Sequence, residues 1–231
     1  MSWSLVPGGR LLADVSLWSA DLANLQRDVE RMSPYADSFH IDVADGHFVS
    51  DLLFFPDLVA ALRAHTNRPF HVHLIVDQPC RFVERFASAG ADLITVHCEL
   101  EDVEVRRSIA RIRDCGKAAG IAVRLESPIS MAEAYLDSVD SILLLGTESG
   151  VKGRDLAPEA TLRISAASQL LRMRSIRERV LIIADGGIRT HTVPRLRAAG
   201  ADAIVPGSLV FQAASLPEVF HWVHSIDFEH P

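Results

Sequence analysis

The sequence has little cysteine and little lysine. Its 231 residues include three cysteines, Cys80, Cys98 and Cys115, without any Cys-x-x-Cys spacing. We therefore expect no disulfide framework and interpret each thiol as a small buried apolar group. Only Lys117 and Lys152 are lysines, and the other basic residues, histidine aside, are arginines. Lysine-based chemistry is limited to these two positions.

Long apolar runs and an excess of positive charge are also missing. No apolar stretch approaches the ~20 residues of a membrane-spanning helix, and residues 1–10 lack the basic start and apolar run of a signal peptide. The formal net charge of −7 argues against the basic footprint that nucleic-acid binding requires. We expect a cytoplasmic protein with neither a nucleic-acid nor a membrane partner.

The chain does contain enough apolar material for a large core. Apolar residues make up 48% of it and charged residues 23%, a balance typical of globular proteins. No Pro/Gly/Ser-rich linker divides the sequence. We therefore predict a single domain over residues 1–231, with its core at about 11–226.

Eight short apolar runs recur along the chain. They are nearly continuous and rich in β-branched residues, which is typical of parallel strands buried on both faces. The runs are Leu11–Leu17, Ser38–Val43, Phe70–Val76, Leu93–Cys98, Ile121–Leu125, Ser141–Leu145, Val180–Ala184 and Ala203–Val205.

Amphipathic segments lie between the runs, for example at Asp21–Met32, Asp102–Lys117 and Ala160–Ser175. In the first, helical spacing places Leu22 on the same apolar face as Val29. An Ala-Gly pair, ending at Gly90, Gly120 or Gly200, precedes each of three runs, and a glycine there suits the left-handed residue that ends a helix.

Alternating strands and helices form βαβ units, and eight units in this length predict a (β/α)8 TIM barrel. A doubly wound open sheet is the alternative, but it usually has fewer strands, and the sequence has no G-x-G-x-x-G turn.

Polar residues occur where the predicted strands end, which is where barrels of this type carry their chemistry. Residues two apart on a strand face the same side, so three pairs are expected to point into the barrel. The pairs are His40 with Asp42, His71 with His73, and His97 with Glu99. Burying so many polar groups is costly unless they are paired or functional.

Four of these strand-end residues form a candidate metal set: His40, Asp42, His73 and Asp185. Nitrogen and carboxylate oxygen ligands suit Zn²⁺, Mn²⁺, Fe²⁺ or Co²⁺. The alternative is a hydrogen-bonded polar cluster in the barrel mouth.

Glycine-rich turns end the last strands and predict a phosphate site. Gly186 and Gly187 follow the seventh run, and Gly207 with Ser208 follows the eighth, where phosphate sites of such barrels are often built. The segment Gly150–Arg154 after the sixth run closes a third side of this predicted site.

Several motifs together resemble the ribulose-phosphate 3-epimerase family. Residues 40–49, reading H-I-D-V-A-D-G-H-F-V, resemble that family's second-strand signature. Residues 16–21, 72–76, 184–188 and 207–211 resemble other strand-end segments of the family, in the same order along the chain. The similarities extend from about residue 11 to residue 212.

The resemblance implies an isomerase with a (β/α)8 barrel of the ribulose-phosphate-binding type. It would invert C3 of a ketose phosphate, either ribulose 5-phosphate/xylulose 5-phosphate or a related sugar, through a metal-stabilised enediolate. Asp42 and Asp185 would exchange protons on opposite faces of the substrate. His40, Asp42, His73 and Asp185 would hold the metal, with Zn²⁺ expected ahead of Mn²⁺, Fe²⁺ and Co²⁺. The substrate-binding residues would be Ser16, His73, Gly150, Lys152, Gly153, Gly186, Gly187, Gly207 and Ser208.

The chain also departs from the family pattern. Ala44 and Ile75 stand where the family usually has methionine. The fifth strand ends in Arg124–Pro128 instead of an Asn-Pro-x-Thr turn, and the sixth loop contains Lys152 and Arg154. One hypothesis is that the sugar end of the pocket is remodelled for a ketose phosphate other than ribulose 5-phosphate. The alternative is neutral drift within a true ribulose-phosphate epimerase.

Two other functions compete with the epimerase. A Schiff-base aldolase on the same barrel needs a lysine on an inward strand position, and neither Lys117 nor Lys152 lies in a predicted strand. A non-catalytic sugar-phosphate-binding barrel predicts loss of the acid/base set, which is intact here. We also expect a homo-oligomer, with the region around Trp222 as one surface that could pair subunits.

Overall fold

A computed structural model of the chain describes residues 9–148 and 153–227. Its strands are β1 (Leu12–Ser16), β2 (Ser38–Asp45), β3 (Leu52–Leu53), β4 (Phe70–Ile75), β5 (Leu93–His97), β6 (Ala118–Val123), β7 (Ser141–Leu145), β8 (Leu181–Asp185) and β9 (Ala203–Val205). All except β3 pair in parallel, and β1 pairs with both β2 and β9, so eight strands close into a barrel. The predicted (β/α)8 fold is confirmed.

Helices connect most successive barrel strands. They are α1 (Leu25–Met32), α2 (Pro56–Arg63), α3 (Val83–Ala89), α4 (Asp102–Asp114), α5 (Ala160–Met173), α6 (Val193–Ala198), α7 (Ser208–Phe211) and α8 (Leu216–Ser225). Between β6 and β7 a 3₁₀ segment, Ile129–Ser138, takes the place of an α-helix. Within the described ranges, no helix is long and apolar enough to cross a membrane.

Alternation along the strands divides the buried residues into two layers. Outward-facing residues such as Val72 and Leu74 pack under the helices. Inward-facing residues fill the barrel itself. The apolar part of this filling comes mostly from β7, β8 and β9, whereas β1, β2, β4 and β5 contribute buried carboxylate, hydroxyl and imidazole groups. The polar half of the interior leads directly to the barrel mouth.

The glycine preceding the predicted fifth strand has a different role from the one expected. Gly90 and Gly200 do end helices, with φ of 106° and 115°. Gly120, however, lies inside β6, which begins at Ala118. A Cβ at this position would collide with the side chain of Thr95 and lie 2.6 Å from Ser141 Oγ. The glycine is needed because three strands approach closely inside the barrel, and Gly116, with φ of 68°, ends the preceding helix instead.

Two other local expectations are wrong. The first helix begins at Leu25, so Leu22 precedes it and exposes 53% of its surface instead of packing with Val29. Of the three cysteines, only Cys98 is buried, while Cys80 and Cys115 are half-buried. All three are free, as the absence of a disulfide framework requires.

Candidate active site

Four potential metal ligands converge at the C-terminal end of the barrel. His40 and Asp42 lie on β2, His73 lies on β4, and Asp185 ends β8. Each offers a ligand atom, and these atoms all lie within 4.8 Å of one another. The first three side chains are nearly inaccessible, whereas 19% of the Asp185 side chain is exposed. The structure therefore brings together the four residues of the predicted metal set.

Strand geometry accounts for this convergence. Asp42 is paired with His73 in the register of β2 and β4, and His73 Nδ1 lies 3.2 Å from Asp42 Oδ1. His40 is two residues before Asp42 on the same face, with Nε2 3.1 Å from the same oxygen. Asp185 approaches from another wall, because β9 and β1 separate β8 from β2, and its Oδ2 lies 3.8 Å from His40 Nε2.

The two carboxylates have different proton affinities. Burial raises the pKa of Asp185 to about 7, and the neighbouring negative charges of Asp42 and Asp14 act in the same direction against the opposing effect of His40. Burial alone would also raise the pKa of Asp42, but the charge and hydrogen bond of His40, together with His73, lower it well below its usual range. Near neutral pH, Asp42 is thus ionised, whereas Asp185 can hold or release a proton.

The two histidines also differ. Burial lowers the pKa of His73 to about 3, so the ring is neutral and one nitrogen carries a lone pair. Burial alone would lower the pKa of His40, but the charge of Asp42 and a hydrogen bond to Asp14 raise it well above its usual value. A cation bound between the carboxylates would take the place of the proton on His40 Nε2.

The chemistry of these donors fits a divalent metal. Two imidazole nitrogens and two carboxylate oxygens suit borderline ions such as Zn²⁺, Mn²⁺, Fe²⁺ and Co²⁺. The nitrogen of each ring that faces away from the other ligands has its own partner, as is usual for metal-binding histidines. His73 Nε2 lies 2.9 Å from His97 Nε2, and His97 Nδ1 lies 2.9 Å from Glu99 Oε2.

A pocket of about 280 Å³ opens above this cluster. Asp42, His73 and Asp185 form part of its wall, while His40 lies beneath them. Ser16, predicted to touch the substrate, also lines the pocket, and its Oγ lies 3.4 Å from Asp42 Oδ2. The candidate acid/base groups are therefore accessible to a small ligand.

The predicted phosphate-binding turns lie on the other side of this pocket. Gly186, Gly187, Gly207 and Ser208 all line it, together with Gly153 from the sixth loop. Gly186 and Gly187 have φ of 92° and 68°, a conformation that glycine adopts without steric cost. Gly150 and Lys152, two further predicted binding residues, lie outside the described residues.

Sequence reasoning missed several residues at or beneath the pocket, and three of them bear on its chemistry. Trp18 and Arg189 line it, and Asp14 lies below it against His40. Arg189 directly follows the Asp-Gly-Gly-Ile turn, and Trp18 lies in the short 3₁₀ turn Leu17–Ser19 that follows β1. Asp14 could have been found because it interrupts an apolar strand two residues before Ser16, on the same face.

Some of the residues that depart from the family pattern line the pocket, and others lie away from it. Ile75 lines the pocket, as do Glu148 and Arg154 of the sixth loop. The divergent fifth-strand turn instead supports a neighbouring loop, because the guanidinium of Arg124 lies 3.9 Å from the centre of the Phe48 ring and donates to the Phe48 carbonyl. Among the described residues no lysine lines the pocket, and Lys117 lies at the opposite end of the barrel, just before β6.

Comparison with known proteins assigns the family. Residues 12–211 match the model described as the ribulose-phosphate 3 epimerase family. The chain belongs to this family. It is 38% identical over 197 residues to ribulose-phosphate 3-epimerase of Treponema pallidum, covering 85% of this chain and 89% of that protein. It is 34% identical over 212 residues to the enzyme of the same name from Synechocystis, covering 91% of each.

Solved structures support the fold of this family member. An orotidine 5'-phosphate decarboxylase from Pyrococcus horikoshii superposes with a TM-score of 0.65 at 15% identity, covering 92% of this chain and 97% of that one. A 3-hexulose-6-phosphate synthase superposes with a TM-score of 0.64 at 16% identity, covering 94% and 99%. At these identities the likeness extends to the barrel architecture alone.

Proposed function

We propose that the chain is a metal-dependent epimerase that inverts C3 of a ketose phosphate by proton transfer between two carboxylates. Membership of the ribulose-phosphate 3-epimerase family makes it an isomerase, an epimerase acting on carbohydrates. One observation carries the finer proposal: Asp42 and Asp185 reach a single pocket from different walls of the barrel, beside two histidines.

The acid/base roles follow from the chemistry of a ketose. A C–H bond next to a ketone is too weakly acidic for an unaided carboxylate, so the developing negative charge on the ketone oxygen must be stabilised. A divalent metal held by His40, Asp42, His73 and Asp185 would supply Lewis-acid polarisation of that oxygen. Asp42 would take the C3 proton on one face, and Asp185 would deliver a proton to the other.

The far side of the pocket supports an anionic substrate. The glycine turns at Gly186–Gly187 and Gly207 allow close approach of a phosphate to backbone N–H groups. Arg154 and Arg189 line the same pocket and bring positive charge to it. Phosphate binding there would orient the reacting carbon toward the two carboxylates, with Ser16 beside Asp42.

The direct test follows proton exchange at C3. The wild-type enzyme is incubated with ribulose 5-phosphate in D2O, and incorporation of deuterium at C3 and formation of xylulose 5-phosphate are followed by NMR. Asp42→Asn and Asp185→Asn should each reduce epimerisation by at least about 100-fold, the usual contribution of general acid–base catalysis. Glu133→Gln, at an exposed position that does not line the pocket, is the control. Exchange at the wild-type rate on both faces in either active-site variant contradicts the two-carboxylate mechanism.

The identity of the ketose needs a second experiment. The name of one curated relative, the chloroplastic ribulose-5-phosphate-3-epimerase of Arabidopsis thaliana, favours ribulose 5-phosphate. The divergent residues Ile75, Glu148 and Arg154 line the pocket and favour another ketose phosphate. Measuring kcat/KM for tetrulose, pentulose and hexulose phosphates decides between them. A preference for ribulose 5-phosphate contradicts the remodelling hypothesis and leaves the epimerase proposal intact.

A further inference from the structure

A second buried polar cluster lies directly beneath the candidate metal ligands. It contains Asp14 on β1 and His71 on β4, with Ser38 and Thr95 beside them. All four are buried, with Asp14 2% exposed and the others inaccessible. None of them lines the pocket, and the side chain of Asp14 contacts that of the candidate ligand His40. Burying these groups is favourable only because they satisfy one another.

Asp14 is the centre of this cluster and connects it to His40. Asp14 Oδ2 lies 3.0 Å from His40 Nδ1 and 2.6 Å from His71 Nδ1. The other oxygen of Asp14 accepts a 2.6 Å hydrogen bond from Ser38 Oγ. His71 Nε2 lies 2.7 Å from Thr95 Oγ1. The carboxylate therefore has three polar neighbours, and one of them is a ring whose far nitrogen faces Asp42 and Asp185.

This arrangement keeps a proton on Nδ1 of His40, so a metal that displaces the other proton finds a single tautomer. An ionised carboxylate only accepts hydrogen bonds, so a nitrogen within 3.0 Å of it must carry the proton. With Nδ1 hydrogen-bonded to Asp14, Nε2 is the nitrogen that would bind a metal once its own proton is displaced. Nε2 lies 3.1 Å from Asp42 Oδ1 and 3.8 Å from Asp185 Oδ2. His71 donates to the same carboxylate and, accepting from the Thr95 hydroxyl, keeps Asp14 in place.

We propose that Asp14, held by His71, is the positioning residue that fixes the orientation and tautomer of His40 for metal binding. This inference rests on the metal site of the proposed function. A carboxylate behind a metal-binding histidine raises the basicity of the ring and prevents it from flipping. Asp14 does not contact the substrate or the metal in this scheme. Its removal should therefore change the affinity for the metal more than the number of ions bound.

A competing explanation is that Asp14, His40 Nδ1 and His71 Nδ1 themselves bind a metal, since these three atoms lie within 3.1 Å of one another. His40 would then have to bridge two ions through both nitrogens. The hydrogen bonds that Ser38 donates to Asp14 and Thr95 donates to His71 complete the cluster without an ion. The two explanations differ in stoichiometry: one ion per chain if Asp14 is a positioning residue, two if it is a ligand.

The first measurement is Zn²⁺ binding by competition with a chromophoric chelator. Wild-type protein should bind one Zn²⁺ per chain, and Asp14→Ala should still bind one with an affinity about 10- to 100-fold weaker. Asp14→Asn, which keeps an acceptor oxygen, should lie between the two. Asp37→Asn removes another buried carboxylate that contacts no candidate ligand and should leave the affinity unchanged. Wild-type affinity in Asp14→Ala, or a second Zn²⁺ in the wild type that this variant loses, overturns the inference.

The second measurement observes the tautomer itself. In ¹⁵N-histidine NMR spectra, wild-type His40 should show a protected Nδ1–H, and this signal should disappear in Asp14→Ala. A wild-type His40 protonated only at Nε2 overturns the inference, and this result needs no variant to fold. If the wild type binds none of Zn²⁺, Mn²⁺, Fe²⁺ and Co²⁺, the proposed metal site fails. The NMR result then decides the role of Asp14 alone.

Discussion

Asp37 connects three parts of the chain at the end of the barrel opposite the pocket. Its Oδ2 accepts a 2.8 Å hydrogen bond from the backbone N–H of Ala13 and lies 3.0 Å from Nε2 of His224, on the last helix α8. Arg10 forms an ion pair with the same carboxylate. Burial alone would raise the pKa of Asp37, but the hydrogen bonds with His224, Ala13 and Arg10 lower it. The ionised carboxylate therefore stabilises the folded state.

This shift predicts how stability depends on pH. The pKa of Asp37 is lower in the folded than in the unfolded chain. Its contribution to the free energy of unfolding is therefore complete at pH values above the unfolded-state pKa, near 4, and is lost as the pH falls through the folded-state pKa. Asp37→Asn should reduce the free energy of unfolding at pH 7 by about 2 kcal/mol, and its deficit relative to wild type should shrink below about pH 4. Urea unfolding between pH 3 and pH 7 measures both quantities.

The exposed Glu133 provides a matched control for this experiment. Glu133→Gln should change the free energy of unfolding by no more than about 0.5 kcal/mol, as is usual for surface substitutions. A deficit of Asp37→Asn that stays constant from pH 7 to pH 3 would show that the carboxylate's charge is not what stabilises this junction.

At the level of elements, periodicity predicts the barrel because parallel strands buried on both faces have few alternative arrangements. Alternation likewise placed His40 with Asp42 on one inward face, and their side chains are 3.1 Å apart. What periodicity does not contain is the distance between strands far apart in sequence. Gly120 resembles a helix cap in its local sequence, and only its proximity to Thr95 and Ser141 gives it another role. Alternation alone could have placed Asp14 on the inward face, but not its contact with His71, which is 57 residues away.

The loop after β8 is held against the loop after β7, and this contact shapes the pocket. Gly187 has φ of 68°, and a Cβ there would lie 2.5 Å from the Cα of Leu156. Gly116 has the same φ, but a Cβ there would meet nothing within 4 Å, and it lies at the other end of the barrel. Both glycines thus have the same left-handed backbone conformation, but only at Gly187 would a side chain collide with neighbouring atoms.

Gly187→Ala should therefore harm the enzyme in a way that Gly116→Ala does not. Both should lose about 1–2 kcal/mol of stability from the left-handed backbone. Only Gly187→Ala should displace the pocket wall, raising KM for the ketose phosphate by about tenfold or more, since 1.4 kcal/mol of binding corresponds to that factor. Thermal unfolding and steady-state kinetics separate the two effects. Equal KM values in the two variants would mean that this loop contact does not shape the substrate site.

For the whole molecule, the net charge of −7 opposes binding of an anionic substrate. Capture must therefore depend on local groups, and Arg154 and Arg189 line the same pocket as the glycine turns. The candidate metal ligands contribute to a second global property. They come from the neighbouring strands β2 and β4 and from the distant strand β8, so an ion bound to all of them would connect β8 to the other two across the barrel.

Metal removal should consequently lower the stability of the entire barrel. An ion that binds only the folded state stabilises it by about 2.7 kcal/mol at a free concentration of 100 Kd. For a chain of this length each kcal/mol shifts Tm by about 2–4 °C. Dialysis against a chelator should therefore lower Tm by about 5–10 °C, and adding back Zn²⁺ should restore it. Calorimetry with defined free Zn²⁺ measures the shift.

A ligand variant distinguishes specific binding from a general effect of the ion. Asp185→Asn lacks one of the four ligands and should lose most of the Zn²⁺-dependent rise in Tm. Asp37→Asn should begin from a lower Tm yet retain the full rise, because Asp37 contacts none of the four ligands. If both variants retain the full rise, the ion binds elsewhere on the chain. If neither the wild type nor the variants respond, the four residues form the hydrogen-bonded cluster that the sequence left as the alternative.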